Sequence, residues 1–398
     1  MHIQSDYQQV NFLSGDAELL VRMEEVIPLE PFHPLVISFL DAMSKAILSD
    51  KSNKAFPDVV TFAFWCRKAG ISSFQRSYPG YESRKGRGWI LHIAPANVAT
   101  LFAYSMVSGL LAGNANVVRV SSRPFEQVKI IVNVINELLA DQFSALRSYI
   151  CLIGFPRGLQ LTQQLCARAD GRVVWGGTGT VSHIRSFPIK PGSADIGFPD
   201  RYSFALLNSE AWQAEEDKKK VAMAFYNDTF LTDQLACSAP TFIIWIGRDD
   251  KPVREDFWQH VGEFVIKKKV LLQEIVMNKF TTFFALASEW PVKLYKMKTN
   301  HITRIEIPAI NAAMTRFRPG GGFFLEYSAK NLEEILPLCG VDCQTVVCYG
   351  IPKKQVNNFF NEHPVEGIYR IVDIGKALEF SVKWDGIDLI EELSMDKN

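Results

Sequence analysis

The 398-residue chain has no surplus of either charge: 43 lysines and arginines stand against 43 aspartates and glutamates. Without a basic excess it has no electrostatic footing on a polyphosphate backbone, which argues against nucleic acid and for small or neutral ligands. No apolar run approaches the ~18 residues that span a bilayer, so no transmembrane segment is expected. The opening residues, Met1-His2-Ile3-Gln4-Ser5-Asp6, have neither the basic start nor the apolar core of a secretory leader. The seven cysteines are an odd number scattered mostly through apolar segments, which suits reduced thiols better than a disulfide framework. Cys339, Cys343 and Cys348 have no fourth ligand close by, so no metal is expected. Neither a G-x-G-x-x-G fingerprint nor a P-loop occurs. What remains is a cytoplasmic chain of ordinary globular composition, long enough for two or three domains.

The first 80 residues read as mostly helical, and the stretch 76–87, rich in Gly, Ser, Tyr and charge, reads as an extended hairpin or surface loop. From residue 89 the pattern alternates. Strands are expected at 89–93, 116–120, 149–153 and 172–175, with helices at 98–112, 125–139 and 158–168 between them, which is the signature of a doubly wound parallel sheet. Small residues along the first helix permit close packing on the sheet, and Gly113-Asn114 supplies its stop. A proline-rich loop follows at 190–199, then a strand at 202–208 and a helix over 210–226 in which the run 215–220 is a solvated face. A new α/β pattern starts at Thr241. The expected architecture is α/β: an N-terminal helical region with a cofactor domain over 1–208, a catalytic domain over 209–360, and a tail over 361–398 that packs back or mediates association.

Ligands in such sheets bind beyond the carboxyl ends of the strands. Three candidates sit there. Asn97 follows the first strand. Arg119, Ser121, Ser122 and Arg123 end the second, either as donors to a phosphate monoester or as a surface ion pair. Gly176, Gly177 and Thr178, with Gly179 and Thr180, follow the fourth, either as a phosphate cradle or as a tight turn. Between the two α/β patterns, Thr232-Asp233-Gln234-Leu235-Ala236-Cys237-Ser238-Ala239-Pro240 brings a cysteine out of a polar turn ahead of an apolar strand. Cys237 is either a nucleophile, activated by backbone N–H groups at a helix start, or a small buried apolar residue. The triple glycine 320–322 reads as a turn before a strand, and His92 and His183 as structural histidines.

Asn97 in a Pro-x-Asn turn, a basic residue ending the next strand, the Gly-Thr turn and the Gln-x-x-Cys loop follow the order and spacing of the aldehyde dehydrogenase superfamily. The segments His92-Ile93-Ala94-Pro95-Ala96-Asn97-Val98, Leu111-Ala112-Gly113-Asn114-Ala115-Asn116, Ile196-Gly197-Phe198-Pro199-Asp200-Arg201-Tyr202-Ser203-Phe204, Phe225-Tyr226-Asn227-Asp228-Thr229 and Arg370-Ile371-Val372-Asp373-Ile374-Gly375-Lys376-Ala377-Leu378 more closely resemble the LuxC-type acyl-CoA reductases. The resemblance runs from about residue 85 onward.

It implies reduction of a long-chain fatty acyl thioester, from acyl-CoA or an acylated partner protein, to the aldehyde with NADPH. Cys237 would carry the acyl group, and Asn97 with the Cys237 backbone N–H would bind the oxyanion. Arg119 stands where the superfamily usually has a lysine near the adenosine ribose. Ser122 stands where NAD-preferring members often carry a glutamate, and losing that carboxylate favours NADP(H). The superfamily glutamate of Glu-Leu-Gly-Gly has Asp195-Ile196-Gly197-Phe198 as its nearest counterpart, so Asp195 is either a base or a loop acid. No Glu-x-Phe-x-Pro ribose motif follows. The alternatives are a CoA-acylating aldehyde dehydrogenase of shorter chain specificity and a non-catalytic scaffold subunit. The resemblance also implies an acyl-protein synthetase and an acyl-transferase as partners. Self-association is expected through 76–88 and the tail.

Overall fold

The structure, a computed structural model, describes residues 7–156, 160–248 and 250–397. The opening residues 1–6 and the expected helix start at Gly158 lie outside them. The chain forms two compact units, one built from residues up to Pro199 and from Phe380 onward, the other from Asp200 to Glu379.

In the first unit a six-stranded sheet has the order β1 (Asn11–Ser14), β5 (Ile150–Gly154), β4 (Ala115–Arg119), β3 (Trp89–Ile93), β6 (Gly171–Trp175), β7 (Ala194–Phe198). Strands β3 to β7 run parallel and β1 is antiparallel on the edge. The expected parallel doubly wound core is present. Strands β1 and β7 fall where the sequence pattern reads as helix and loop; each is an edge strand of mixed polarity, and β1 is only four residues long. A further short strand, β2 (Arg84–Gly86), lies in the stretch read as a hairpin or loop.

The helices follow from the same residues. In order they are α1 (Ala17–Arg22), α2 (Pro34–Ser49), α3 (Pro57–Trp65), α4 (Lys68–Gln75), α5 (Leu101–Leu111), α6 (Glu126–Ala140), α7 (Leu161–Arg168) and α8 (Thr178–Arg185). Every α5 residue from Phe102 to Leu111 is buried, so this helix has no solvent face. It ends in a Schellman motif: Asn114 N donates to Gly109 O at 2.9 Å, Gly113 N donates to Leu110 O at 2.9 Å, and Gly113 takes φ +89°. A Cβ on Gly109 would fall 1.9 Å from Asn116 Oδ1, so the helix approaches β4 only because that position is glycine.

In the second unit seven strands have the order β10 (Lys293–Tyr295), β11 (Thr303–Glu306), β12 (Phe323–Ala329), β9 (Pro240–Ile246), β8 (Tyr202–Asn208), β13 (Cys343–Tyr349), β14 (Arg370–Asp373), all parallel except β10. The expected division at 208/209 therefore moves to Pro199/Asp200, because β8 is hydrogen-bonded on both sides within this second sheet. The expected helix at 210–226 is two: α9 (Ser209–Ala214) and α10 (Lys218–Thr229). The acidic run breaks them, with the Asp217 carboxylate accepting from Lys220 N at 3.1 Å as an N-cap. Then come α11 (Lys251–Lys268), α12 (Gln273–Glu289) and α13 (Lys353–Glu362).

The expected tail is divided. Its first part gives β14 to the second unit, while the part from Phe380 returns to the first. There β15 (Lys383–Trp384) and β16 (Ile387–Asp388) form a small ladder, α14 (Leu389–Glu392) buries Leu389 and Ile390, and β17 (Ser394–Asp396) pairs antiparallel with β2.

Candidate active site

After α10 the chain enters a 3₁₀ turn and then places Asp233 at φ +50° and Gln234 at φ +60°. Two successive non-glycine residues in the left-handed region cost about 1–2 kcal/mol each and need compensation. It comes from the buried Gln234 carboxamide, whose Nε2 donates to the carbonyls of Pro240 and Phe323 at 3.0 Å each. Its Oε1 accepts from Gly322 N at 3.1 Å and Phe323 N at 2.9 Å. The glycine run fits around this bend. Gly320, Gly321 and Gly322 take φ +76°, +63° and +81°, and Gly321 N donates to Asp233 O at 2.8 Å. Behind the run, the buried Lys279 ammonium on α12 donates to Asn300 O at 2.6 Å, His301 O at 3.0 Å and Gly321 O at 2.9 Å. Burial holds its pKa down at about 8.

Cys237 follows in a turn closed by Ala239 N donating to Ala236 O at 2.9 Å, just ahead of β9. Its carbonyl accepts from Ser203 Oγ at 2.8 Å. The thiol is half-buried, whereas Cys66, Cys151, Cys166, Cys339, Cys343 and Cys348 are all buried. Burial pushes the Cys151, Cys339 and Cys348 thiols up to about 12. The expected helix start at the cysteine is replaced by a strand start, since a helix precedes the loop and β9 follows it.

The Cys237 thiol donates to Asp200 Oδ1 at 3.7 Å. The other Asp200 oxygen accepts from Arg318 Nη2 at 3.2 Å, and Arg318 Nη1 donates to Arg201 O at 2.7 Å while its guanidinium lies over the Tyr202 ring. Topology explains the meeting. Asp200, Cys237 and Arg318 each precede a strand, β8, β9 and β12, and these three are parallel neighbours. Asp200 was legible only as part of a matching segment, and Arg318 carried no signal.

In the first unit, Asn97 is exposed in the loop after β3. Arg119 ends β4, with Nη2 donating to Phe155 O at 3.2 Å and its guanidinium over the Phe155 ring. Ser121 and Ser122 lie in the loop after it, where Ser121 Oγ accepts from Arg123 N at 3.2 Å. Gly176 and Gly177 follow β6, Gly177 is the N-cap of α8, and Thr178 opens that helix. Strands β3 and β6 are neighbours whose chains leave in opposite directions, toward β4 and β7, so their carboxyl ends form the switch point of the sheet. A Cβ on Gly177 would meet nothing within 4 Å, leaving room for a ligand to approach the backbone.

His92, on β3, is fully buried. Its Nε2 donates to Asn116 Oδ1 at 2.9 Å, Nδ1 accepts from Ser105 Oγ at 2.7 Å, and Ser105 Oγ accepts from Trp175 Nε1 at 2.9 Å. Burial brings the imidazole down to about 4, so it stays neutral.

Asp195 is on β7, gripped by the buried Arg172, whose Nε and Nη2 donate at 2.8 Å and 3.0 Å, and by Arg185 Nε at 3.2 Å. Burial raises its pKa, but the two arginines outweigh that and hold it below the usual carboxylate range. Both of its oxygens are thus taken by guanidinium donors, leaving neither turned toward a substrate. It is a strand residue that ties β7 to the end of α8, where Arg172 also donates to the carbonyls of Ile184, Arg185 and Phe187.

A family model described as acyl-CoA reductase (LuxC) matches residues 42–278. No curated protein sequence matches the chain. Among solved structures, lactaldehyde dehydrogenase from Escherichia coli superposes with a TM-score of 0.63 at 13% identity, covering 92% of this chain and 86% of that one. Methylmalonate-semialdehyde dehydrogenase from Oceanimonas doudoroffii gives 0.65 at 10% identity, covering 95% and 88%. A NAD-dependent benzaldehyde dehydrogenase from Corynebacterium glutamicum gives 0.61 at 12% identity, covering 91% and 84%. At these identities the likeness establishes the fold, which is that of the aldehyde dehydrogenases.

Proposed function

Because the chain belongs to the acyl-CoA reductase (LuxC) family, we propose that it reduces a long-chain fatty acyl thioester to the fatty aldehyde through an acyl group carried on Cys237. The observation that carries this reading is the contrast among the thiols: six are buried, and the half-buried seventh sits on a loop fixed by Gln234 and the glycine run.

A thioester on Cys237 separates acyl transfer from reduction and remains electrophilic enough to accept hydride. A nicotinamide cofactor, when bound, supplies that hydride. The residues of the first unit suit such a cofactor: the turn at Gly176 and Gly177, open at Gly177, and the first turn of α8 for the phosphates, and Arg119 with Ser121 and Ser122 for the adenosine end. A cationic side chain next to serines, without a carboxylate, favours the 2′-phosphate of NADPH. Asn97 supplies a side-chain amide for the oxyanion. With both Asp195 oxygens held by arginines, Asp195 is not available to activate water, which preserves the thioester for reduction. The acyl donor is CoA or a thiol of an acylated partner protein, with acyl-protein synthetase and acyl-transferase subunits as candidate partners.

The test is incubation with a ladder of acyl-CoA substrates. Mass spectrometry should find the acyl increment on Cys237, greatest for long chains and discharged by NADPH with aldehyde release, and Cys237→Ala should abolish both. Aldehyde formation that persists in Cys237→Ala refutes the reading.

A further inference from the structure

Resting on that reading, we propose that Asp200, anchored by Arg318, is the proton shuttle of the acyl-transfer step. The carboxylate touches the reacting atom: Oδ1 accepts from Cys237 Sγ at 3.7 Å, an ordinary separation for a thiol donor. Its geometry is fixed from the far side. Arg318 is held through Thr315 O, Arg201 O and the Tyr202 ring, and presents Nη2 to Asp200 Oδ2 at 3.2 Å.

Among the described histidines, His33 accepts from Leu35 N, His92 is buried between Ser105 and Asn116, His183 packs on Phe187, His260 lies against Asp256, His301 contacts Thr299 and Lys269 O, and His363 contacts Phe359 O. The charged groups around the cysteine loop include Asp200 ahead of β8, Arg318 ahead of β12, Arg201, whose Nη1 donates to Val341 O, the Asp233–Lys269 pair at the start of the loop, and Lys279, whose ammonium is spent on the carbonyls of Asn300, His301 and Gly321.

The chemistry balances without an added reactant. As the Cys237 S–C bond to the acyl carbon forms, the S–H bond breaks and its proton passes to Asp200 Oδ1. When the carbonyl re-forms, the acyl carbon loses its bond to the leaving sulfur of CoA or of a partner thiol. That thiolate takes the proton from Asp200, restoring the carboxylate, and nothing is oxidised or reduced. A carboxylate is several pH units less basic than a thiolate, so the proton does not leave ahead of attack. It moves as the S–C bond forms, when the sulfur becomes strongly acidic. The same low basicity makes the protonated Asp200 a good donor to the departing thiolate.

The experiment measures Cys237 acylation by rapid-quench mass spectrometry, and Cys237 alkylation by iodoacetamide, from pH 6 to 9 in wild type, Asp200→Asn, Asp200→Glu and Arg318→Gln. Asp200→Asn should acylate about 100-fold more slowly at pH 7, and its rate should climb about tenfold per pH unit as thiolate forms without the shuttle. Wild type should rise less steeply. Alkylation at pH 7 should hold or increase in Asp200→Asn, because removing a carboxylate beside a thiol favours the thiolate. Asp200→Glu should recover part of the acylation rate, and Arg318→Gln should lose part of it. Acylation unchanged in rate and pH dependence, or alkylation falling in parallel with acylation, overturns the shuttle. An unacylated wild type overturns the acyl reading itself.

Discussion

The Gln234 side chain and the Phe323 backbone hold each other through two hydrogen bonds, Nε2 to Phe323 O at 3.0 Å and Phe323 N to Oε1 at 2.9 Å. The cysteine loop is thereby tied to the first residue of β12, a neighbour of the strand that Cys237 precedes. Gln234→Met keeps the volume but leaves the carbonyls of Pro240 and Phe323 and the N–H groups of Gly322 and Phe323 without their partner. The expected cost is about 2–4 kcal/mol, read by denaturant unfolding, with a fall in acylation of Cys237 under conditions where the variant is folded. Wild-type stability in the variant would show that water replaces the amide.

Two glycines should separate folding from binding. At Gly322, with φ +81°, a Cβ would fall 2.4 Å from His301 O and 2.7 Å from the Phe230 ring. Gly322→Ala should lose about 2–4 kcal/mol. At Gly177, with φ −60° and open space, alanine fits. Gly177→Ala should change stability by less than about 0.5 kcal/mol yet weaken NADPH binding about tenfold, in keeping with a close approach of the pyrophosphate to this backbone. Calorimetric titration decides it, and undiminished affinity would remove Gly177 from the cofactor site.

Lys279 gives a pH signature. Its folded pKa of about 8 lies below the free-lysine value of 10.5, so between these values the unfolded chain holds a proton that the folded chain has released. Stability from this group is therefore flat below pH 8 and rises with pH up to about 10.5. Lys279→Met should lack the rise, so the wild-type advantage over the variant should be greater at pH 9.5 than at pH 7.5. Parallel unfolding midpoints across that range would contradict it.

Asp195→Asn should act on stability and not on proton transfer at Cys237. Replacing one charged partner of the buried Arg172 should cost about 1–3 kcal/mol, discounted because the carboxylate is partly exposed. The pH dependence of Cys237 acylation should match wild type, and a shifted acylation profile would return Asp195 to the list of catalytic acids and bases.

The sequence made the parallel core of the first unit legible because β3 to β6 are short runs of buried Val, Ile, Leu and Trp between well-marked helices. It concealed β7, whose pattern alternates on a sheet edge, and the break at Asp217, where charge at helical spacing imitates a continuous solvated face. The cysteine loop was visible from its composition. Asp200 and Arg318 were not, since they stand 37 residues before and 81 residues after Cys237 in the chain. Only the β8–β9–β12 adjacency brings them to the sulfur. The three glycines also stood out in the sequence, but their task of wrapping the Asp233–Gln234 bend depends on a contact about 90 residues away, which local pattern does not report.

The pairing of β17 with β2, and the burial of Leu389, Ile390 and Leu393 in the core of the first unit, have a consequence for biosynthesis. The N-terminal unit cannot finish its core as it leaves the ribosome. It must wait, with the apolar surface that later receives α14 exposed, while the whole of the second unit is translated. Contacts separated by some 310 residues, such as Tyr78 with Asp388, then close last. The nascent first unit is thus the species most in need of a chaperone, and shortening the chain by its last ten residues should reduce soluble yield more than its small share of the core would suggest.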